Sequence, residues 1–403
     1  MIFKDKSLQI IGLGYIGLPT MIFLSRGFKK TIGVDSNKNR LNQIQQYEVD
    51  GNEPNLKENL LDAFQENDIT LSNSVSKADV HMICVPTPIN KQKKADLSIL
   101  YEVIEELSNY LKKGDLIVIE STSPVGTSEE IVKKVAKKRP DLFTNKNKPE
   151  INLCYSPERV IPGNILDEFE KVDRVIGGFT DECLKIGTQL YSIFSKGNIH
   201  KTNLRTAEFI KLAENTYRDI NIAIANEFSI IASNEDINIW EAIEIANKHP
   251  RVNILRPGTG VGGHCIAVDP YFLNALNKNS KANLIQAARD VNLYKEEFCI
   301  KKIEEACIEK GIKKILLLGI SYKQDSGDLR ESPSLRIAAS LKKNHEVSIF
   351  DPIVGKDVIT ANGFESHELQ NINNFSGLIV KLVNHKQFEK LDFNERNYLS
   401  FID

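Results

Sequence analysis

The stretch "RPGTGVGGHCIAVDP", residues 256–270, sets Cys265 behind a run of glycines and four residues ahead of Asp269. Glycine lets a backbone approach a ligand closely or adopt positive φ angles, and this segment is too rich in it for ordinary helix or strand. A thiol held there has two readings. It is a small apolar filler, as most scattered cysteines are, or it is a nucleophile carried on a loop. Other groups that could do chemistry lie elsewhere in the chain. Lys211 and Asn215 stand one helical turn apart, with Glu208 three residues before the lysine. That trio is either a solvated helix face or part of a ligand crevice. Lys323 and Arg330 flank an acidic "QDSGD" turn, as surface charges or as cationic arms for an anionic ligand.

A second motif points to a cofactor. "SLQII" at 7–11 reads as a buried strand and runs into "GLGYIG", which places Gly12, Gly14 and Gly17 at GxGxxG spacing. An amphipathic segment and a second strand ending at Asp35 follow, the context that gives the motif meaning. Gly12 permits the turn, Gly14 admits a pyrophosphate to the main chain, and Gly17 lets helix pack on strand. The helix N-terminus supplies unpaired N–H groups to phosphate. Asp35 can accept the hydrogens of a ribose diol and would repel a 2′-phosphate, which favours NAD over NADP.

The elements that must position these groups follow from pattern. With 403 residues, 41% of them hydrophobic and 26% charged, the chain exceeds one ordinary domain. A formal charge of -2 gives no electrostatic case for nucleic acid or membrane. The opening "MIFKDKSLQIIGLGYIG" reads as a first strand and not a secretory signal, and no apolar run approaches the roughly 20 residues of a membrane span. Six cysteines and seven histidines are dispersed, with no metal-ligand spacing, and reduced thiols in the cytoplasm are the expectation. Strand-like runs at 78–88, 115–127 and 150–160 alternate with charged helical stretches, which predicts a parallel sheet with helices on both faces. Ligands then sit at the carboxyl ends of the strands, where Thr87, Thr122 and Glu158 lie. Gly126 and Thr127 suit the start of another helix.

From about Arg205 to Ser233 there is neither proline nor glycine, and Ile210, Ala213, Tyr217, Ile220, Ile224, Phe228 and Ile231 recur at helical spacing. Such a helix runs about 40 Å, long enough to link domains. Near residue 312 a second doubly wound pattern begins, without GxGxxG. The expected fold is α/β: two doubly wound Rossmann-like domains joined by a long central helix.

Taken in order, "GLGYIGLPT", "VPTP", "ESTSPVGT", "SPERVIPG", "TAEFIKLAENTYRD", "GVGGHCIAVDP" and "YKQDSGDLRESPS" resemble the UDP-glucose/GDP-mannose dehydrogenase family along nearly the whole chain. The resemblance implies an NAD-binding domain over 1–203, a central helical connector with the cysteine loop over 204–300, and a UDP-binding domain over 301–403. It implies a cytosolic homo-oligomer built on a dimer packed through the connector helix. Family chemistry oxidises the C6 hydroxymethyl of a nucleotide-sugar to a carboxylate with two NAD, through a thiol-linked intermediate, for surface-polysaccharide precursors. By that resemblance Cys265 is the nucleophile and Lys211 stabilises oxyanions. Asn215 donates to the same oxygen. Asp269 orders a water with Thr122 and Lys211, and Glu158 is linked to thioester hydrolysis as general base. Tyr15, Ile16, Arg40, Pro86, Thr87, Thr122 and Arg330 join Gly12, Gly14, Gly17 and Asp35 around the cofactor. Glu158, Arg159, Val160, Lys211, Asn215, Arg218, Arg251, Gly262 and Lys323 meet the substrate.

Within the family, "ANKHPRVNILRPGTGVGGHCIAVDPYF" resembles most the members acting on UDP-N-acetyl-D-mannosamine. UDP-glucose members usually carry lysine before the aspartate of the cysteine loop, and here that position is Val268. The substrate implied is a UDP-activated N-acetylhexosamine, with the N-acetylglucosamine, N-acetylgalactosamine and glucose analogues as alternatives. Arg251 is a sugar contact or a solvent-facing charge after Pro250. The rival reading of a two-electron hydroxyacid-type dehydrogenase needs no thiol. A sugar-nucleotide sensor or scaffold would have no use for Cys265, Lys211, Asn215, Asp269 and Glu158 together. The chain stops at "YLSFID", short of a basic turn usual in the family, and Lys381 stands in the last clear strand where a small or apolar residue is usual.

Overall fold

The computed structural model describes residues 3–49, 53–90, 92–144, 148–160, 165–277, 283–391, 393 and 397–403. The chain forms two compact units, Met1–Ala213 with Tyr271–Leu276, and Glu214–Pro270 with Asn277–Asp403.

The first unit is built on eight strands: β1 (Ser7–Ile11), β2 (Lys30–Val34), β3 (Ile69–Ser72), β4 (Val80–Ile83), β5 (Leu116–Ile119), β6 (Asn152–Tyr155), β7 (Arg174–Gly178) and β8 (Ile199–Asn203). Their order across the sheet is β3-β2-β1-β4-β5-β6-β7-β8. Because side chains alternate faces along a strand, continuous apolar runs are needed where helices cover both sides. Leu8, Ile10, Val80, Met82, Leu116 and Val118 fill one core. Ile11, Ile83, Ile117 and Ile119 fill the other. The wholly parallel sheet expected from sequence is corrected at one place: β6 and β7 pair antiparallel, and β8 follows β7 in parallel. The chain between β6 and β7 re-enters the sheet at the end it left, which an antiparallel neighbour allows without a crossover.

The second unit carries β9 (Lys314–Leu318), β10 (Glu346–Phe350), β11 (Glu365–Ser366), β12 (Leu378–Lys381) and β13 (Tyr398–Ser400), all parallel. Its order, β11-β10-β9-β12-β13, repeats that of the first five strands of the larger sheet. Lys381 is buried in β12 and pairs with Asp403, which also accepts from the Ser400 hydroxyl. That partner explains how a charge survives in the strand.

The long helix runs unbroken over Leu204–Asn234, and the division between the units falls inside it. Its two faces contrast in burial. The supposed solvated face is buried, with Glu208 at 0%, Lys211 at 8% and Asn215 at 8% exposure, whereas Tyr217, Ile224, Phe228 and Ile231 of the apolar stripe are 69, 39, 41 and 54% exposed. Hydrophobic spacing identifies a stripe without saying what covers it. No helix among the described residues is long and apolar enough to cross a membrane.

Candidate active site

In the first unit the glycine turn leaves β1 with Gly12 at φ +91°, under the carbonyl of Cys84 that follows β4. A Cβ on Gly17 would sit 1.8 Å from the Gly12 carbonyl oxygen, so helix and turn touch backbone to backbone, while a Cβ on Gly14 would meet nothing within 4 Å. That open flank, at the start of the buried helix Gly17–Ser25, is where a pyrophosphate can reach main-chain N–H groups. Asp35, just after β2, accepts from Leu13 N at 2.9 Å and from Asn37 N at 2.9 Å. Its oxygens keep further lone pairs for a ribose diol. Asn37 caps the next helix, which brings Arg40 Nε to the Leu13 carbonyl at 3.0 Å. Asp35 and Arg40 thus hold the N–H and the carbonyl of one residue in the turn. Tyr15 donates to Glu53 at 3.0 Å, and Ile16 precedes the helix. The turn and Asp35 fit NAD; Arg330 belongs to the second unit.

At the ends of β4 and β5, Thr87 Oγ1 donates to the Thr122 carbonyl at 2.6 Å, next to the exposed Pro86. Beneath them Glu120, 4% exposed, accepts from Tyr191 OH at 2.6 Å and Cys84 Sγ at 3.1 Å. Burial, and then the charge of Glu158, push its carboxyl above the usual range.

Glu158 follows β6. Its Oε1 accepts from the amides of Arg159 and Val160 at 2.6 and 3.0 Å, and its Oε2 from Arg174 Nη1 at 3.1 Å. The guanidinium of Arg174 lies against the rings of Phe169, Tyr191 and Phe194, at 4.5, 5.1 and 4.8 Å from their centroids. The Glu158 carbonyl, not its carboxylate, receives Lys211 Nζ at 2.8 Å. Arg159 Nη1 turns away to the carbonyl of Asp173 at 2.9 Å, and Val160 is half-buried. The rest of that motif, Ile161, Pro162 and Gly163, lies outside the described residues. One turn before Lys211, Glu208 accepts from Gly126 N at 2.6 Å and Ser128 N at 2.8 Å, capping the helix Thr127–Lys138.

In the second unit the cysteine loop is tied at several points. Asn226 of the long helix accepts from Gly258 N at 2.9 Å. Gly263, at φ +83°, donates to the Arg330 carbonyl at 3.0 Å. A Cβ on Gly262 or Gly263 would come within 2.7 or 2.8 Å of Tyr322, so the glycines let the loop lie flat on that ring. Cys265 is half-buried, and its carbonyl accepts from Val268 N at 3.0 Å and Asp269 N at 2.8 Å. Those bonds lead into the helix Asp269–Asn274. Asp269, 2% exposed, accepts from Asn215 Nδ2 at 2.5 Å. Lys323 is exposed, and Arg330 is folded onto Asp328, with Nη2 at 2.6 Å. Burial raises the Asp328 carboxyl, but the bonds from Arg330 outweigh it and hold the group below the usual range. Arg218 and Arg251 are exposed.

Arg174 and His385 escaped the sequence reading, because their partners stand 16 and 34 or more positions away and no short motif carries them.

Similarity to known proteins agrees with this geometry. The UDP-glucose/GDP-mannose dehydrogenase family matches in three parts: its NAD binding domain at 6–195, its central domain at 205–294, and its UDP binding domain at 316–399. A UDP-N-acetyl-D-mannosamine dehydrogenase of Methanocaldococcus jannaschii is 41% identical over 392 residues, covering 96% of this chain and 87% of the relative. An NDP-N-acetyl-D-galactosaminuronic acid dehydrogenase of Ralstonia nicotianae is 39% identical over 392 residues, covering 96% and 92%. The structure of a UDP-D-ManNAc dehydrogenase from Pyrococcus horikoshii superposes with a TM-score of 0.89 at 31% identity, covering 98% of this chain and 95% of that one. With a cofactor turn, a UDP-binding sheet and a buried lysine–asparagine helix face all in place, the chain belongs to the UDP-glucose/GDP-mannose dehydrogenase family and is an NAD-dependent dehydrogenase of UDP-sugars.

Proposed function

We propose that the chain oxidises the C6 hydroxymethyl of UDP-N-acetyl-D-mannosamine to a carboxylate in two steps, with Cys265 as the nucleophile between them. Gly12, Gly14, Gly17 and Asp35 would hold NAD, which would supply the hydride acceptor for each of the two oxidations at C6. The first step also releases the hydroxyl proton and leaves an aldehyde. The Cys265 sulfur adds to the aldehyde carbon, and loss of the second hydride from that thiohemiacetal gives a thioester. Water then cleaves the carbon–sulfur bond and returns the thiol. Lys211 and Asn215 stabilise the oxyanions, Asp269 and Thr122 order water, and Glu158 serves the hydrolysis. Three of the four lone-pair positions of the Glu158 carboxylate already accept hydrogen bonds, which leaves one for that water. Lys323 and Arg330 serve the diphosphate and the cofactor region, with Arg159, Val160, Arg218, Arg251 and Gly262 around the substrate.

The observation that carries the mechanism is the fixed thiol loop, whose far end is locked by the Asn215–Asp269 hydrogen bond of 2.5 Å. The choice of sugar is supported by the relatives and by apolar, buried Val268 beside Asp269. The Ralstonia relative keeps a second reading in view, the N-acetylgalactosamine isomer, which differs at C2 and C4. The domain division proposed is 1–203, 204–300 and 301–403. We further propose a cytoplasmic homodimer that supplies a surface-polysaccharide precursor. The dimer is supported by exposed Tyr217, Ile224, Phe228 and Ile231 on one helix. Phe228→Glu would then lower the mass in solution. Incubation with a panel of UDP-sugars, following NADH, tests the function. Two NADH per UDP-N-acetyl-D-mannosamine is the expected result, and one NADH per sugar, or preference for another sugar, would displace it.

A further inference from the structure

Lys323 sits in a turn, residues 321–328, tied to the rest of the second unit by one buried imidazole, by Asp351 Oδ2 accepting from Ser321 N at 3.4 Å and by Asp325 Oδ1 accepting from Lys386 N at 3.2 Å. His385, at 0% exposure, follows β12 at the topological position that Thr87 takes after β4. Its Nδ1 accepts from Asp325 N at 3.0 Å, so that nitrogen carries no hydrogen. The ring hydrogen is then on Nε2, which faces Asp351 Oδ2 at 3.2 Å and Ser321 Oγ at 3.3 Å. Ser321 uses its own hydrogen on the Lys323 carbonyl at 2.8 Å. The main chain of Lys323 is therefore held on both sides by the same ring. Asp325 is kept at φ +54°, a conformation a non-glycine residue adopts where its surroundings impose it. From this turn, Tyr322 and the Arg330 carbonyl continue to Gly263 of the cysteine loop.

We propose that His385 is a positioning residue for the reaction: its Nδ1 acceptor fixes the turn that carries Lys323, and through Tyr322 steadies the loop of Cys265. The proposal rests on the reading of Lys323 as a contact of the substrate diphosphate. The two amide substitutions separate the two ring nitrogens. Asn can place its oxygen near the Nδ1 position and keep the bond from Asp325, while Gln can reach the Nε2 position and keep the contact with Asp351. With His385→Gln we expect KM for UDP-N-acetyl-D-mannosamine, and the inhibition constant of UDP alone, to rise about tenfold, the loss of one partly buried hydrogen bond. With His385→Asn both constants stay near wild type, while the unfolding temperature falls further than in the Gln variant. A merely structural role would move affinity and stability together, and that result overturns the proposal. Ser321→Ala, a smaller change, is expected to raise the same KM, and unchanged constants in both Ser321→Ala and His385→Gln also overturn it. Lys323→Ala is run beside them: unchanged KM and UDP inhibition there sink the diphosphate reading itself, independently of how the histidine pair behaves.

Discussion

Asp35 and Asp351 hold the same position in two sheets of the same strand order, and each accepts a 2.9 Å bond from the amide just beyond the glycine that ends the first strand, Leu13 N and Ile320 N. They differ in what else reaches them. Asp351 is 5% exposed and closed off by His385, whereas Asp35 is half-buried and accepts otherwise from Asn37 N. One acid is a joint of the fold. The other can still read a ribose.

Asp35→Asn keeps an oxygen for Leu13 N but removes the charge that repels a 2′-phosphate. The ratio of kcat/KM for NADP to that for NAD should rise by about tenfold, near 1.4 kcal/mol. Steady-state kinetics with both cofactors checks this, and an unchanged ratio argues against a ribose role.

Cys265→Ser should lower kcat at least about a hundredfold, since an alcohol is a poor nucleophile without a strong base beside it. NAD affinity, measured by fluorescence titration, should stay near wild type because the glycine turn is untouched. A loss of NAD affinity with turnover retained would make the thiol a packing group.

Asn215→Ala removes one donor from buried Asp269. Leaving a buried carboxylate short of a hydrogen bond costs about 1–3 kcal/mol. Urea unfolding should show that loss, and kcat should fall with it.

His81, in β4 between β1 and β5, has its pKa pushed down to about 4, first by burial. The unfolded chain takes up this proton below roughly pH 6.5, while the folded chain resists until about 4. Stability should therefore fall as pH drops from roughly 6.5 to about 4, by about 3 kcal/mol from this residue. His81→Leu should flatten that part of a stability–pH curve, and an unaltered slope would refute the assignment.

Gly17→Ala would place a Cβ 1.8 Å from the Gly12 carbonyl oxygen. The turn must then move off the helix, so NAD affinity should fall at least about tenfold, with a lower unfolding temperature. Normal NAD binding by this variant would show that the turn tolerates displacement.

Much of the fold is legible in the sequence because its strands are apolar runs broken by glycine, as "SLQII" and "KKILLLG" are. β8 is not: it lies at the sheet edge with exposed His200, Lys201 and Asn203, so no alternation marks it. The antiparallel β7 is equally silent, since direction is a property of the connection and not of the strand. In the long helix the ends are legible and the buried face is not. Its polar residues find partners far along the chain, Glu208 at Gly126 and Asn215 at Asp269. The same holds for Arg174 with Glu158 and for His385 with Asp325.

Arg174 brings one positive charge to an interior that also contains Glu158 and Glu120. Burial, and then the charge of Glu158, push the Glu120 carboxyl above the usual range, while Arg174 pulls it back. Its Oε2 also accepts from Thr20 Oγ1 of the helix Gly17–Ser25 at 3.1 Å. Replacing Arg174 would therefore leave two neighbouring carboxyl groups without their guanidinium beside the helix that begins at the glycine turn, and that repulsion would be felt in the turn.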